Sequence, residues 1–320
     1  MIALLVGLAS CKNPTSVEYE PYESPGEEHP NDEYYDLQWH YRQINMPGAW
    51  AILRDSELDG AFGEAVVAVL DTAYDTGHDD LENAFLFHKD DAAEGYDFSY
   101  DDEDPSIVDD NDSPDFHGSH VAGTIAADTN NNDTGVAGIG WDRLRVLPVQ
   151  VFDDAGGSSL DVIVQAIYYA AGDPNESEAI PSRPVNVINM SFGFSGDDAA
   201  VYDAINAATK NGITVIAASG NSPDFAEVTA PAAFDNTIAV GATNKSEHRA
   251  SYSLTGPEVD FSAPGGETEG VLSTVPGDYD YSAGTSMATP HVSGVVGLLY
   301  SYAPNLTQDA VYAVLQNTAK

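Results

Sequence analysis

The chain has little basic charge and almost no cysteine, and each shortage excludes a class of protein. Its 320 residues include 11 lysines and arginines against 52 aspartates and glutamates, for a formal net charge of −41. Because phosphate binding needs clustered lysine and arginine, this balance argues against a nucleic-acid partner. The single cysteine, Cys11, excludes a disulfide within the chain. Three explanations of the acidity stay open: adaptation to high salt, a calcium-rich surface, or simple solubilisation.

An apolar run at residues 1–10 is too short to span a bilayer as a mature helix. Its position is typical of a signal peptide. The four residues that end at Cys11, Leu-Ala-Ser-Cys, resemble a bacterial lipobox, whose cysteine is acylated and becomes the new N-terminus. Residues 1–11 therefore predict an exported protein, either a cell-envelope lipoprotein held by its lipid anchor only or a secreted one. An ordinary signal peptide with an incidental cysteine is the alternative, and no lysine or arginine precedes the run.

Composition divides the remaining chain into two parts. Residues 12–31 carry four prolines and many acidic side chains, which predicts a disordered tether. Residues 32–320 have the composition of a globular domain, and no internal repeat is visible in them. We expect this domain to be a monomer.

Short apolar runs alternate with helix-like segments through the domain. Such runs suit a parallel sheet that is covered on both faces, and alternating βα units predict a doubly wound α/β fold with a mainly parallel sheet. The acidic stretch 97–115 predicts a long exposed loop. The predicted strands are residues 65–70, 144–152, 185–190, 213–217 and 237–241, and the predicted helices are 162–171, 198–210 and 292–302.

Four polar residues are expected to meet at one edge of this sheet. Asp71 and Asn221 follow apolar strands, and His117 and Ser286 lie just before helix-like runs. In doubly wound sheets, sites form at the carboxyl ends of the strands. A serine at a helix N-terminus also lies beside unpaired N–H groups and the positive end of the helix dipole, where a developing oxyanion is stabilised.

Asp71, His117 and Ser286 supply the parts of a nucleophilic site. A serine hydroxyl needs a base, imidazole is suited to that role, and a buried carboxylate fixes the tautomer of the imidazole. The chain order Asp, His, Ser differs from that of α/β-hydrolases and chymotrypsin-like proteases, and it is the order of subtilisin. Singly, each residue has a structural explanation: a strand-end cap, a loop histidine for which His120 or His291 could substitute, and a helix N-cap.

Several motifs in this order resemble those of the subtilisin-like serine proteases (subtilases), and among them the thermitase-like branch. The resemblance runs from about Asp32 to the C-terminus. In this family the positions of His120 and His291 are structural. The matching segments are residues 69–72 with Asp75 and 78–81, then 117–123, 218–221 and 284–288.

The resemblance implies that Asp71, His117 and Ser286 form the catalytic triad. It also implies that the Asn221 side chain donates to the oxyanion beside the backbone N–H of Ser286. A turn asparagine at a Gly-Asn pair is the alternative for Asn221.

By the same resemblance, the peptide-binding groove is lined by Ser191, Phe192 and Gly193 on one side and by Gly156 and Gly157 on the other. An extended peptide pairs with such edges through its backbone, and glycine lets the two backbones approach closely. Phe192, at the wall of the S1 pocket, implies an apolar or aromatic P1 preference. Loop glycines and a core phenylalanine are the alternative.

The resemblance also implies a structural calcium site, because Ca²⁺ prefers carboxylate and carbonyl oxygens. An Asn-rich surface turn is the alternative, and the three consecutive asparagines at 130–132 allow the alignment to shift by one residue. The implied ligands are the side chains of Asp32, Asp80 and Asn132 and the carbonyls of Thr129, Thr134 and Val136.

The chain departs from the family pattern in three respects. Few residues separate Cys11 from the domain, where the family carries a folding propeptide, so either the chain folds without one or the sequence is incomplete. The family also continues past the last helix. Phe116 replaces a common glycine before His117, which narrows the S2 side of the cleft, and Ser119 replaces a threonine.

The leading hypothesis is an exported serine endopeptidase that cleaves proteins and peptides through an acyl-enzyme. A catalytically silent binding protein with the same fold is a second hypothesis. An esterase that uses the same chemistry is a third.

Overall fold

The computed structural model describes residues 26–55, 58, 60–87, 93–107, 116–131, 134–222 and 227–320. The signal peptide, the lipobox and most of the tether, all predicted within residues 1–25, lie outside this range. Within it, the chain already contacts the domain at Glu28, whose N–H donates to the Pro47 carbonyl at 2.9 Å. None of the described helices combines the length and apolar composition that a membrane span requires.

Seven parallel strands form the central sheet, in the order β2-β3-β1-β4-β5-β6-β7. Two more strands, β8 and β9, pair as a separate antiparallel hairpin. This parallel sheet confirms the predicted fold class. The strands are β1 (Ala65–Asp71), β2 (Tyr96–Asp97), β3 (Leu144–Gln150), β4 (Val187–Met190), β5 (Thr214–Ala218), β6 (Ile238–Thr243), β7 (Phe261–Pro264), β8 (Val271–Val275) and β9 (Asp278–Ser282).

Helices cover both faces of the sheet. Alternate side chains of each strand point to opposite faces, so each strand contributes to two apolar cores. The helices are α1 (Trp39–Gln43), α2 (Met46–Leu53), α3 (His117–Ala126), α4 (Leu160–Ala170), α5 (Ala199–Lys210), α6 (Thr285–Tyr302) and α7 (Gln308–Thr318). In β1, Val67 and Val69 belong to the apolar core under α3 and α6, whereas Ala68 and Leu70 belong to the core under α4 and α5.

Two sequence-based boundaries need correction. Helix α6 begins at Thr285 and runs through Pro290, rather than beginning at Val292. The threonine, serine and proline of its first turns carry no apolar periodicity, so the sequence pattern missed them. The loop predicted from Asp97 also begins too early, because Asp97 lies on β2, is buried, and accepts hydrogen bonds from the N–H groups of Ser99 and Tyr100.

Candidate active site

Asp71 and His117 are held together by a short hydrogen bond. Asp71 is the last residue of β1 and is 1% exposed, and His117 is the first residue of α3, with an imidazole that is 30% exposed. Oδ1 of Asp71 lies 2.6 Å from Nδ1 of His117 and also accepts the Thr72 N–H at 2.8 Å. A carboxylate can only accept, so the imidazole carries a proton on Nδ1, and Nε2 is the basic nitrogen of its neutral form.

The start of α3 is fixed against the chain that follows β1. The N–H of Gly118 donates to Oγ1 of Thr72 at 2.9 Å. A side chain at Gly118 would lie within 2.7 Å of the Thr72 carbonyl, so only glycine allows this approach. His117 is thereby placed directly beside the end of β1.

Asn221 is anchored to the start of α6. Its Oδ1 accepts two hydrogen bonds from Thr285, one from the backbone N–H at 2.7 Å and one from Oγ1 at 2.8 Å. With Oδ1 committed in this way, the amide nitrogen Nδ2 is the group left to serve as a donor to a substrate. Ser286 is the second residue of α6, so its N–H has no acceptor within the helix.

The sheet order brings these residues to neighbouring positions. Strands β1, β4 and β5 lie side by side, and Asp71 ends β1, Ser191 follows β4, and Asn221 follows β5. Oγ of Ser191 donates to the Ser286 carbonyl at 2.9 Å. Ser286 is therefore in direct contact with the β4 end, and Asn221 contacts the preceding residue.

The other histidines that could have replaced His117 are buried. Nε2 of His120 lies 3.0 Å from the Val271 carbonyl, and Nδ1 of His291 lies 2.8 Å from the Met287 carbonyl. Burial lowers the pKa of each imidazole to about 4, so both are neutral at neutral pH.

Sequence reasoning missed a third buried histidine. His40 is fully buried, and its Nδ1 lies 2.8 Å from Nε2 of His291. Nothing in its local sequence marks this partnership, because the two histidines are far apart along the chain.

The two departures beside His117 leave its contacts in place. Phe116 precedes α3 and is 40% exposed, so its ring lies at the surface. Oγ of Ser119 accepts the Asp75 N–H at 2.9 Å, so the serine hydroxyl joins α3 to the loop after β1.

The two segments expected to line the substrate groove meet through a pair of aromatic rings. The ring of Phe192 packs edge-on against Phe152 at a centroid distance of 5.2 Å. Gly156 has a positive φ of 74° and open space around it, and the Gly157 N–H donates to Oδ1 of Asp153 at 2.7 Å. The loop after β3 is therefore a closed turn that leaves Gly156 facing outwards.

In the segment expected to form the other side of the groove, Gly193 packs against Thr229. A side chain at Gly193 would clash with Oγ1 of Thr229, and the neighbouring Phe194 N–H donates to the Ala230 carbonyl at 2.7 Å. Close packing with the segment around Thr229 therefore requires glycine at this position.

Two buried carboxylates lie against the loop that precedes Val136. The Asn130 N–H lies 3.0 Å from both oxygens of Asp32, and Asp80 accepts the Asn131 side-chain amide and the Val136 N–H, each at 2.8 Å. Burial raises the pKa of Asp32 to about 6 and that of Asp80 to about 7, because both are largely removed from water.

The same loop leaves an oxygen without a donor. Oδ1 of Asn131 is buried and has no hydrogen-bond partner among the described residues, although the other end of this amide contacts Asp80. Two buried carboxylates with an unpaired amide oxygen suit a hard cation such as Ca²⁺. No cluster of three or more His, Cys, Asp or Glu side chains in the described part of the chain could hold a metal, so such an ion would depend on amide and carbonyl oxygens. Asn132 lies outside the described residues.

Comparisons with known proteins identify the family. The model of the subtilase family (Peptidase S8) matches residues 63–320. The chain is 38% identical to an "Extracellular protease" of Xanthomonas campestris pv. campestris over 91% of its length, but it spans only 53% of that relative, about half. It is 34% identical to thermitase from Thermoactinomyces vulgaris, with 91% of each chain covered.

A solved structure of a protease from Pseudoalteromonas arctica superposes with a TM-score of 0.78. The two chains are 36% identical, and the match covers 92% of this chain and 93% of that one. Sequence and structure therefore agree that the chain belongs to the subtilase family.

Proposed function

We propose that the protein is a serine endopeptidase that cleaves protein and peptide substrates through an acyl-enzyme. The observation that carries the proposal is the 2.6 Å bond between Asp71 and His117, which fixes the imidazole with its proton on Nδ1. It lies at the sheet edge where Asn221 and Ser191 contact residues 285 and 286. The family and its named proteases support the same activity.

In the acylation step, Oγ of Ser286 attacks the peptide carbonyl while Nε2 of His117 takes its proton. The Asp71 carboxylate stabilises the imidazolium that forms. The negative oxygen of the tetrahedral intermediate is bound by the Asn221 side-chain amide and the Ser286 N–H.

Collapse of this intermediate releases the first product. His117 gives its proton to the leaving amine, and the acyl group stays on Ser286 as an ester. A water molecule, deprotonated by His117, then attacks the ester. As this second intermediate collapses, His117 returns the proton to Oγ of Ser286, which frees the second product and regenerates the site.

Substrate is held as an extended strand between residues 156–157 and 191–193. The ring pair of Phe152 and Phe192 gives this groove an apolar wall, which supports the proposed preference for apolar or aromatic P1 side chains.

A calcium ion is proposed to hold the loop before Val136 in place. It would neutralise the carboxylates of Asp32 and Asp80, whose hydrogen-bond donors in the described part of the chain are amide and backbone N–H groups. The unpaired Oδ1 of Asn131 makes this residue a ligand candidate beside Asn132, consistent with the one-residue ambiguity of the alignment. The remaining protein ligands would be the carbonyls of Thr129, Thr134 and Val136.

Export completes the proposal. The Xanthomonas relative is named an extracellular protease, which supports secretion of this chain. Acylation of Cys11 would convert the secreted enzyme into a cell-envelope lipoprotein, with residues 12–31 as a tether and residues 32–320 as the peptidase domain. The domain would act as a monomer, on protein substrates and not on nucleic acid.

Labelling by a fluorophosphonate probe tests the chemistry directly. We expect the protein to be labelled and to digest casein, and Ser286→Ala to lose both activities while remaining folded. Ser301→Ala is the matched control, because Ser301 is a buried serine on the same helix, away from its N-terminus. Absence of labelling in the calcium-loaded protein would indicate a catalytically silent binding protein. Labelling without casein digestion would indicate an esterase.

A further inference from the structure

The helix that carries Ser286 has an interruption in its hydrogen bonds one turn after the serine. In an α-helix the carbonyl of residue i accepts the N–H of residue i+4. The donor for the Ser286 carbonyl would be residue 290, which is Pro290 and has no N–H. Oγ of Ser191 occupies this position instead and donates to the Ser286 carbonyl at 2.9 Å. A side chain from the sheet thus replaces a bond that the helix cannot make.

The hydroxyl of Ser191 is itself oriented by Asn189. Nδ2 of Asn189 donates to Oγ of Ser191 at 3.0 Å, and Oδ1 of Asn189 accepts from Oγ of Ser293 at 2.8 Å. The amide nitrogen can only donate, so it occupies a lone pair of Ser191 and directs the Ser191 proton towards the Ser286 carbonyl. All the donors in this series point the same way, from Ser293 to Asn189 to Ser191 to Ser286.

Asn189 lies where an apolar residue would be expected. It is fully buried in the centre of β4, and its register neighbours on the adjoining strands are Val69 and Ile216. A buried amide among such neighbours is unfavourable unless its groups are hydrogen-bonded. Here both ends of the amide are bonded, and both bonds lead to α6.

We propose that Asn189 is a positioning residue for the nucleophile, acting through Ser191. By holding the Ser191 proton on the Ser286 carbonyl, it fixes the first turn of α6, and with it the direction of the Ser286 hydroxyl and N–H. The inference rests on the proposed function of Ser286. It adds a position inside the sheet to Asp71, His117, Asn221 and Ser286, the groups on which acylation is proposed to depend.

The test replaces Asn189 by leucine, which has a similar shape and no polar atoms. Without the amide, the Ser191 hydroxyl is free to rotate, and the first turn of α6 loses its fixed donor. We expect kcat for a peptide substrate, and the rate of fluorophosphonate labelling, to fall roughly ten- to hundredfold, because small misplacements of a reacting group have effects of that size. KM should change little, because the walls of the groove stay in place.

A matched control separates positioning from stability. Thr214 and Tyr300 form a buried 2.8 Å hydrogen bond that also joins the sheet to α6, but at the far end of the helix. Thr214→Val should lower the melting temperature and leave kcat within about twofold, because the site is distant. Asn189→Leu should lose a comparable amount of stability and, unlike Thr214→Val, should also lower kcat.

A double-mutant cycle tests whether Asn189 acts through Ser191. Ser191→Ala should reproduce the loss of kcat seen in Asn189→Leu. Ser191→Thr, which keeps the hydroxyl, should retain most of the parent kcat. Asn189→Leu combined with Ser191→Ala should be no slower than either single variant. Normal kcat in Asn189→Leu, or additive losses in the double variant, would overturn the inference.

Two further outcomes remain interpretable. If Asn189→Leu does not fold, the Ser191 pair still decides, because normal kcat in Ser191→Ala refutes the proposed contact. If the unmutated protein is not labelled at all, the proposed function has failed, and this failure is distinct from that of the inference.

Discussion

Removal of calcium should destabilise the protein most at alkaline pH. Without a cation, Asp32 and Asp80 hold their negative charges in buried positions, where the pKa values are raised from 3.8 to about 6 and about 7. In the unfolded chain both groups ionise near pH 4. Between pH 4 and pH 7 the folded, metal-free protein therefore binds more protons than the unfolded one, so its stability falls as the pH rises through this range.

The size of the effect follows from these pKa values. Each pKa unit corresponds to about 1.4 kcal/mol, so ionisation of the two carboxyls costs the metal-free fold on the order of a few kcal/mol each. A Ca²⁺ ion bound at the proposed site would reverse this penalty, because it would compensate the two negative charges as protons do at lower pH. For a domain of this size a few kcal/mol corresponds to a melting-temperature difference of roughly 10 °C. We expect a difference of that order between calcium and chelator at pH 8, and a small one at pH 5.

Differential scanning calorimetry of the Ser286→Ala variant measures this without self-digestion. The matched variant Asp80→Asn removes one buried charge and keeps the side-chain shape. In chelator at pH 8 it should melt above the parent, and it should lose most of the response to calcium. An equal calcium shift at pH 5 and pH 8, or a chelated Asp80→Asn that melts below its parent, would refute the reasoning.

Two further predictions concern the cleft. Asn221→Asp keeps the oxygen that accepts from Thr285 but loses the amide donor. Both Asn221→Asp and Asn221→Ala should therefore lower kcat by about 10²–10³ with KM nearly unchanged, the loss already known for the subtilisin asparagine. Only Asn221→Ala should also lower the melting temperature, and a raised KM at normal kcat would contradict the assignment. Gly193→Ala should lower kcat/KM for peptides by displacing Thr229, and Thr229→Ala in the same chain should restore it. Steady-state kinetics on one peptide series checks both, and a fully active Gly193→Ala would argue against the packing.

The sequence predicted the sheet and the strand-end residues because both depend on short-range patterns. An apolar run that ends in a polar residue marks a strand and its carboxyl end, which placed Asp71 and Asn221 at one edge. The start of α6 was missed, since its first turn is defined by hydrogen bonds that Thr285 donates to Oδ1 of Asn221 rather than by periodicity. The choice between Asn131 and Asn132 as a calcium ligand was also open to the sequence, because adjacent asparagines are chemically equivalent until a fold orients them.

Asn189 could not have been assigned a role from sequence alone. It interrupts an otherwise apolar strand, which is a visible signal, but a buried polar residue has many explanations. Its meaning depends on Ser293, 2.8 Å away across the sheet–helix interface, and on Pro290, whose missing N–H creates the need for Ser191. These relations join residues about one hundred positions apart, and only the fold brings them together.

The first turn of α6 is held from outside the helix at two successive residues. The Thr285 N–H is bound by Asn221, and the Ser286 carbonyl is bound by Ser191. Ser191 is also the first residue of the segment proposed to hold the substrate backbone. Its backbone would thus belong to the proposed groove, while its hydroxyl binds the helix that carries Ser286, so its two roles fall on different atoms. Loss of the Ser191 hydroxyl should therefore lower kcat with little change in KM, as for Asn189→Leu. Substitutions at Phe192, which packs on Phe152, should instead change P1 selectivity with a smaller effect on the rate of acylation.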